Sequence, residues 1–209
     1  MTIPILYQDD ALLIVDKPAE LLTVPGRGVD KQDCLINRIK LDEPNARIVH
    51  RLDMSTSGIV IIAKHHQAQA AMGQLFERRE IHKKYTAVVS GELKALQGEV
   101  NLPLISDWPN RPKQKIDYEV GKAAQTHYEV IKHDQKENIT RITLTPITGR
   151  THQLRVHMLA LGHPILGDNL YAPDAIRDKS ERLLLHACAI SFIHPLDSTP
   201  VNINAAAPF

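Results

Sequence analysis

The segment HRLDMSTSG at residues 50–58 places a carboxylate, Asp53, between the cation Arg51 and a polar Ser-Thr-Ser run. The apolar run at residues 59–63 is typical of a buried strand, so the segment is predicted to be a loop that enters a core strand. Rigid scaffolds often present reacting groups on such loops. Asp53 is therefore the first candidate for a catalytic carboxylate. The alternative is a polar turn in which Asp53 accepts hydrogen bonds from nearby backbone amides.

Two further side chains are candidates for chemistry. Arg155 lies at the edge of the apolar stripe of a helix predicted over residues 151–161, so its guanidinium is expected to be half-buried and to need an anionic partner. That partner is either Asp53 or a structural acid such as Asp168, unless the side chain extends to water. Tyr85 begins a later strand, where an ordinary strand aromatic is the alternative to a functional role.

Two basic clusters are candidates for contact with a nucleic-acid backbone. The first contains Arg78, Arg79, Lys83 and Lys84, and the second contains Arg111, Lys113 and Lys115 beside Trp108. The alternative is that both are solvated loops. The eleven histidines include no ligand set with suitable spacing, so no metal site is predicted.

Composition limits the class of protein. The 209 residues, 43% hydrophobic, can form one large or two small domains. A net charge of +1 excludes binding to polyanions by bulk charge but allows a local basic surface. Cys34 and Cys188 have no CxxC partner, so neither a disulfide framework nor a cysteine zinc site is expected. Without a signal peptide or an apolar span of about 20 residues, a cytoplasmic protein with no membrane partner is expected.

Hydrophobic patterning predicts more strands than helices. Strands are predicted at residues 3–7, 11–15, 58–64, 83–91 and 182–193, with a hairpin whose loop is Asp134 to Asn138. Residues 65–79 have apolar groups at helical spacing, a short helix is predicted within 32–41, and residues 106–115 are predicted to be irregular. The helix at 151–161 is predicted to turn Leu154, Met158 and Leu161 inward and to end before Gly162. The fold class is α+β, with a mixed, mostly antiparallel central sheet flanked by helices.

The sequence as a whole resembles the RluA-type pseudouridine synthases. The resemblance rests on ILYQDDALLIVDKP, HRLDMSTSG, KKYTAVVSG, TGRTHQLRVHMLALGHPILGD and RLLLHA, which occur in the family's order and extend over nearly the whole chain. Within the family, DWPNRPKQK is similar to a small dual-specificity member without an S4-like RNA-binding domain. The resemblance thus implies a single catalytic domain over residues 1–209, with no S4 domain.

The resemblance implies an isomerase that converts uridine in RNA to pseudouridine without a metal or organic cofactor. By the same resemblance Asp53 is the essential aspartate, Arg155 its partner, Tyr85 the residue that packs on the target base, and Arg51 the residue that fills the space left by the flipped nucleotide. The expected RNA-binding residues are Arg51, Arg78, Arg79, Lys83, Lys84, Arg111, Lys113, Lys115, Arg150 and His152. The expected partner of the monomer is RNA, with targets in a tRNA anticodon loop (position 32) and a 23S rRNA hairpin (position 746). A noncatalytic RNA-binding module is the alternative.

Overall fold

The computed structural model describes residues 3–209, apart from the side chain of Asp30. These residues form two compact units. Unit 1 comprises the chain up to Lys83 together with His186–Pro208, and unit 2 comprises Lys84–Leu185 and Phe209. The single catalytic domain expected from the sequence stays a prediction, and its residues 1 and 2 lie outside the described part of the chain.

Unit 1 is built on a mixed sheet. Its strands are β1 (Ile5–Gln8), β2 (Leu12–Lys17), β3 (Arg47–Ile48), β4 (Ser57–Ala63), β11 (Leu185–Ile193) and β12 (Pro200–Asn204), and its α-helices are α1 (Leu35–Ile39) and α2 (His66–Arg78). The order is β1-β2-β4-β11-β12, with β3 also beside β4. The pair β11/β4 is parallel and the others are antiparallel.

The core of unit 1 follows from the two apolar runs of β2 and β4. Every residue of β4 is buried, as expected for a strand covered on both faces. Helix α2 packs Ala68 and Met72 onto this sheet, with Leu75 and Phe76 partly buried beside them. The helical spacing in residues 65–79 therefore predicted both the helix and its buried face.

Unit 2 is built on an antiparallel sheet. Its elements are β5 (His82–Ser90, which begins in unit 1), β6 (Gln97–Asn101), β7 (Leu104–Ser106), β8 (Gln114–Ile116), β9 (Gln125–Asp134), β10 (Ile139–Pro146), α3 (Gln153–Ala160) and α4 (Asp174–Arg177). The sheet order is β5-β10-β9-β6, and β7/β8 form a separate hairpin. The predicted β9–β10 hairpin is present, with Ile139 opposite Asp134. Leu154 and Met158 of α3 pack on the buried side of this sheet.

The α+β class with a mixed, mostly antiparallel sheet is confirmed, and two local expectations need correction. Leu161 is 37% exposed rather than inward, because α3 ends at Ala160 and Leu161 is its C-cap, followed by Gly162 at φ 83°. The segment at 106–115 is not wholly irregular, since its ends belong to β7 and β8. Strands β3, β6 and β12 and helix α4 were not predicted. Within residues 3–209 no helix is long and apolar enough to cross a membrane.

Candidate active site

Asp53 lies on the loop between β3 and β4, and hydrogen bonds hold the backbone on both sides of it. Before it, the Thr23 hydroxyl donates to the carbonyl oxygen of Leu52 at 2.7 Å and accepts from the Leu52 amide at 3.2 Å. After it, the Lys17 ammonium donates to the carbonyl oxygen of Met54 at 3.1 Å. The Thr56 amide closes a turn onto the main-chain oxygen of Asp53 at 3.2 Å. The backbone at Asp53, a partly buried residue, is therefore well fixed.

Lys17 supports the candidate site from beneath Met54, and the sequence analysis did not identify it. It ends β2 and is fully buried. Its ammonium also donates to the carbonyl oxygens of Pro18 at 2.9 Å and Leu21 at 2.7 Å. Backbone oxygens thereby replace the water that a buried ammonium loses. The signal in the sequence was a lysine at the end of a strand that begins with four apolar residues.

The Ser-Thr-Ser run after Met54 is buried and leads directly into β4. Ser57 hydrogen-bonds through its hydroxyl to Nδ1 of His186 on β11 at 2.8 Å. Gly58 follows at φ 115°, and a Cβ there would collide with the backbone of Ala187. The glycine is therefore required by the close parallel approach of β4 and β11.

His50, at the start of the same segment, is held in its neutral form. Its Nε2 accepts a hydrogen bond from the amide of Ile61 at 2.9 Å, and its ring lies 4.9 Å from that of Phe76. Burial lowers the pKa of His50 to about 3, and the nearby positive charge of Lys83 contributes to this shift. A neutral His50 can accept the amide proton, so its role here is to fix β4 rather than to carry charge.

Arg155 is fully buried in unit 2, rather than half-buried as the sequence predicted, and is paired with Asp168. The guanidinium donates from Nε to Oδ2 at 2.8 Å and from Nη2 to Oδ1 at 2.6 Å, and both side chains are at most 2% exposed. Asp168 also accepts from the amides of Leu170 and Tyr171. The sequence analysis named Asp168 as a possible structural partner of Arg155, and this bidentate pair is that interaction. Asp53 belongs to unit 1, and its pairing with Arg155 stays a prediction.

Tyr171 connects Arg155 with a second predicted site residue, His152. The guanidinium carbon of Arg155 lies 5.1 Å from the centre of the Tyr171 ring. The hydroxyl of Tyr171 lies 2.6 Å from Nδ1 of His152 and accepts from the amide of Gln114 on β8 at 2.8 Å. The sequence analysis missed Tyr171, because its three partners are far away along the chain. Its position makes it a link between the β7–β8 hairpin and helix α3.

The segment before α3 is held by the buried amide of Gln153. Its Oε1 accepts from the Thr148 hydroxyl at 2.7 Å and from the Arg150 amide at 3.0 Å, and its Nε2 donates to Thr126 at 2.9 Å. The exposed Arg150 side chain donates to the carbonyl oxygen of Ala123 at 3.1 Å. The turn at residues 149–151 is thus fixed by hydrogen bonds to buried groups, while the side chain of Arg150 remains exposed.

Tyr85, the remaining predicted catalytic residue, lies within β5 opposite Leu144 of β10. Its ring is partly buried against the core of unit 2.

Most of the predicted RNA-binding residues are exposed, namely Arg51, Arg78, Arg79, Lys84, Arg111, Lys113, Lys115 and Arg150. Lys83 and His152 are partly buried, and burial lowers the pKa of Lys83, whose Nζ lies 5.7 Å from the Phe76 ring. Among the described residues no cluster of three His, Cys, Asp or Glu side chains could hold a metal ion.

Comparison with known proteins places this geometry in a family. Residues 11–160 match the model of the RNA pseudouridylate synthase family. The chain is 51% identical over 205 residues to the dual-specificity RNA pseudouridine synthase RluA of Escherichia coli K12, covering 98% of this chain and 93% of that protein. It is 49% identical over 205 residues to the protein of the same name from Yersinia pestis, covering 98% and 99%.

Solved structures give the same assignment. Human RNA pseudouridylate synthase domain containing 1 superposes with a TM-score of 0.83 at 28% identity, covering 100% of this chain and 84% of that one. Human RNA pseudouridylate synthase domain containing 4 gives a TM-score of 0.76 at 26% identity, covering 98% and 88%. The chain therefore belongs to the RNA pseudouridylate synthase family, the enzymes that isomerise uridine in RNA to pseudouridine.

Proposed function

We propose that Asp53 is the reacting carboxylate of this enzyme and that its substrates are uridines in short RNA hairpin loops. The observation that carries the proposal is the fixation of the Asp53 backbone by Thr23 and Lys17. A group that reacts beside a glycosidic bond must be held in place, because small displacements of a reacting group greatly reduce rates. The HRLD segment supplies such a carboxylate.

In the proposed reaction the bond from N1 of uracil to C1′ of ribose breaks and a bond from C5 to C1′ forms. C5 loses its proton after the base has turned, and N1 gains one, so atoms and charge balance. Three actions of the Asp53 carboxylate fit this change: attack on C1′, addition to C6 of the base, and removal of a sugar proton. Tyr85 packs on the base and assists proton removal from C5 in this proposal, and Arg155 provides positive charge for Asp53.

The target nucleotide must leave its stack before the glycosidic carbon can be reached, so the enzyme is proposed to flip it out. Arg51, exposed two residues before Asp53, is proposed to fill the space that the nucleotide leaves. Loop uridines are favoured substrates, because single-stranded bases separate from their neighbours at low cost. The exposed basic side chains are proposed to bind the stem backbone, which gives affinity without sequence information.

The proposed partners are the anticodon stem-loop of a tRNA and a hairpin of large-subunit ribosomal RNA, each bound by a monomer of this chain. Support comes from the relatives of 49–51% identity, whose name describes dual specificity. One enzyme can modify both loops if it imposes a shared loop shape rather than recognising the whole RNA fold.

The test is an assay of pseudouridine in isolated anticodon and ribosomal hairpins incubated with the wild type, with Asp53→Asn and with Asp42→Asn. Asp42 is an exposed acid of the same unit and serves as the matched control. We expect both hairpins to react with the wild type and with Asp42→Asn. Asp53→Asn is expected to bind RNA within about tenfold of the wild type and to form no pseudouridine, because many basic residues hold the RNA but one carboxylate reacts. Near-normal turnover by Asp53→Asn would refute its role, and reaction of only one hairpin would refute dual specificity.

A further inference from the structure

The tip of the β7–β8 hairpin in unit 2 presents an aromatic side chain to solvent. Trp108 is 66% exposed and begins a short 3-10 turn that ends at Asn110. It is the single tryptophan of the chain. Isolated exposed apolar residues are common on protein surfaces, so exposure alone assigns no role to Trp108. A role for Trp108 is indicated instead by the groups that surround its ring.

The turn that carries Trp108 is held by four hydrogen bonds. The amide of Asn110 donates to the main-chain oxygen of Asp107 at 3.0 Å, and the Asn110 side chain donates to the Asp107 carboxylate at 2.8 Å. The amide of Lys113 donates to Asn110 at 3.0 Å, and the amide of Asp107 donates back to Lys113 at 2.9 Å. The indole is therefore presented on a pre-organised backbone, which lowers the entropy that a ligand would have to remove on binding.

A cation covers part of the indole. The guanidinium carbon of Arg111 lies 4.1 Å from the centre of the Trp108 ring, a distance typical of a cation–π stack. Because Trp108 as a residue is still 66% exposed, Arg111 leaves much of its side chain accessible to solvent. The exposed Lys113 and Lys115 follow on the same hairpin, although Lys115 lies 3.4 Å from the carboxylate of Asp117. The tip thus combines an open aromatic face with adjacent positive charge.

We propose that Trp108 is a stacking site for an unpaired nucleobase of the substrate RNA. The base stacks on the open face of the indole, while Arg111 and Lys113 bind the phosphates beside it. A π-face accepts any base, so the site supplies affinity and register without strict sequence preference. This proposal rests on RNA being the substrate, as stated under the proposed function. It adds a binding site on the β7–β8 hairpin, which carries none of the predicted catalytic residues.

The fluorescence of the single tryptophan provides a direct test. The wild type is titrated at fixed salt with a hairpin that has an unpaired loop and with a blunt duplex of equal length, while tryptophan emission and its quenching by acrylamide are measured. We expect the hairpin to quench the emission of Trp108 and to protect it from acrylamide. The duplex, which binds through its backbone, is expected to do neither at equal occupancy.

Variants separate stacking from charge. Trp108→Ala is expected to weaken hairpin binding about tenfold without changing the slope of log Kd against log salt, whereas Trp108→Tyr keeps most of the affinity. Lys113→Gln is expected to reduce that slope by about one and to leave the fluorescence response intact. Thermal unfolding of each variant checks that the substitution at the tip of the β7–β8 hairpin has not impaired folding of the protein.

The outcomes distinguish this proposal from the proposed function. The stacking site is overturned if the RNA hairpin binds without changing the fluorescence of Trp108. It is also overturned if Trp108→Ala binds the RNA hairpin with the affinity of the wild type. Both conclusions hold even if pseudouridine forms normally. An equal response to duplex and RNA hairpin also overturns it, because every base of a duplex except those at its ends is stacked between neighbours. If the hairpin protects Trp108 and yet no RNA is isomerised, the stacking site stands and the proposed function fails.

Discussion

The ammonium group of Lys17 donates a 3.1 Å hydrogen bond to the carbonyl oxygen of Met54, the residue directly after Asp53. Thr23 makes the matching contact on the other side, with both backbone groups of Leu52 bound to its hydroxyl. The predicted catalytic carboxylate is therefore framed by two side chains from a segment some 30 residues earlier in the chain. The segment DKPAELLTV, which resembles an ordinary loop, is part of the support of this site.

Thr23→Val should slow the reaction more than it weakens RNA binding. The isosteric change leaves the amide and carbonyl of Leu52 without their partner, at a cost of about 1–3 kcal/mol in unfolding free energy. Thr23→Ser keeps the hydroxyl and is the matched control. Single-turnover rates at saturating RNA, together with urea unfolding, test this expectation. A Thr23→Val enzyme that is less stable but has the wild-type single-turnover rate would show that Thr23 does not position Asp53.

Removing either partner of the Arg155–Asp168 pair should destabilise the protein strongly. Arg155→Met would leave the Asp168 carboxylate buried without its cation, and breaking a buried pair costs about 3–5 kcal/mol. The exposed pair of Arg177 with Asp174 provides a control in the same unit, since Arg177→Ala should change stability by less than about 1 kcal/mol. Urea denaturation measures both. If Arg155→Met costs no more than Arg177→Ala, the buried pair does not stabilise the fold.

Tyr171→Phe should weaken RNA binding, because the hydroxyl links the β7–β8 hairpin to the start of helix α3. The change removes the hydroxyl between His152 and the β8 amide of Gln114 but keeps the ring beside Arg155. We expect a stability loss of about 1 kcal/mol and a severalfold rise in the hairpin Kd. Tyr118→Phe, at a residue 77% exposed, is the control and should change neither quantity. Equal hairpin affinities for the two variants would refute the link.

The stability contributed by His50 should be lost as the pH falls. Burial lowers its folded-state pKa to about 3, below the usual value near 6.5 in the unfolded chain. The unfolded state therefore binds more protons between these values, and this group lowers the unfolding free energy as the pH drops through that window. His50→Gln removes the titration, so the advantage of the wild type over this variant should shrink from pH 7 to pH 4. A pH-independent difference in urea unfolding would contradict this expectation.

Isomerisation should continue after exhaustive chelation once the RNA is folded. The reason is that the described residues contain no cluster of metal-ligating side chains. The assay compares EDTA-treated enzyme with untreated enzyme on a hairpin that folds without divalent ions. Loss of turnover that one transition metal alone restores would overturn this prediction, and would favour a metal-dependent mechanism.

The sequence by itself determined the elements whose cause is local. The apolar run of residues 59–63 predicted a strand that is buried along its whole length, and the spacing of Ala68 and Met72 predicted the buried face of α2. Motif order was equally informative, because HRLD and the segments around it are similar to one family along nearly the whole chain. The roles of Asp53, Tyr85 and Arg155 came from that resemblance and stay proposals.

Tertiary structure alone decided which side chains support the site. Local spacing left Arg155 with two candidate acids. Packing within unit 2 pairs it with Asp168, while its pairing with Asp53 stays a prediction. Lys17 meets Met54 across 37 positions, and Tyr171 meets Gln114 across 57. Hydrophobic periodicity reports only which face of an element is buried. It does not report which distant polar group will satisfy a buried charge, because that choice is made when the elements pack and their unpaired donors and acceptors must find partners.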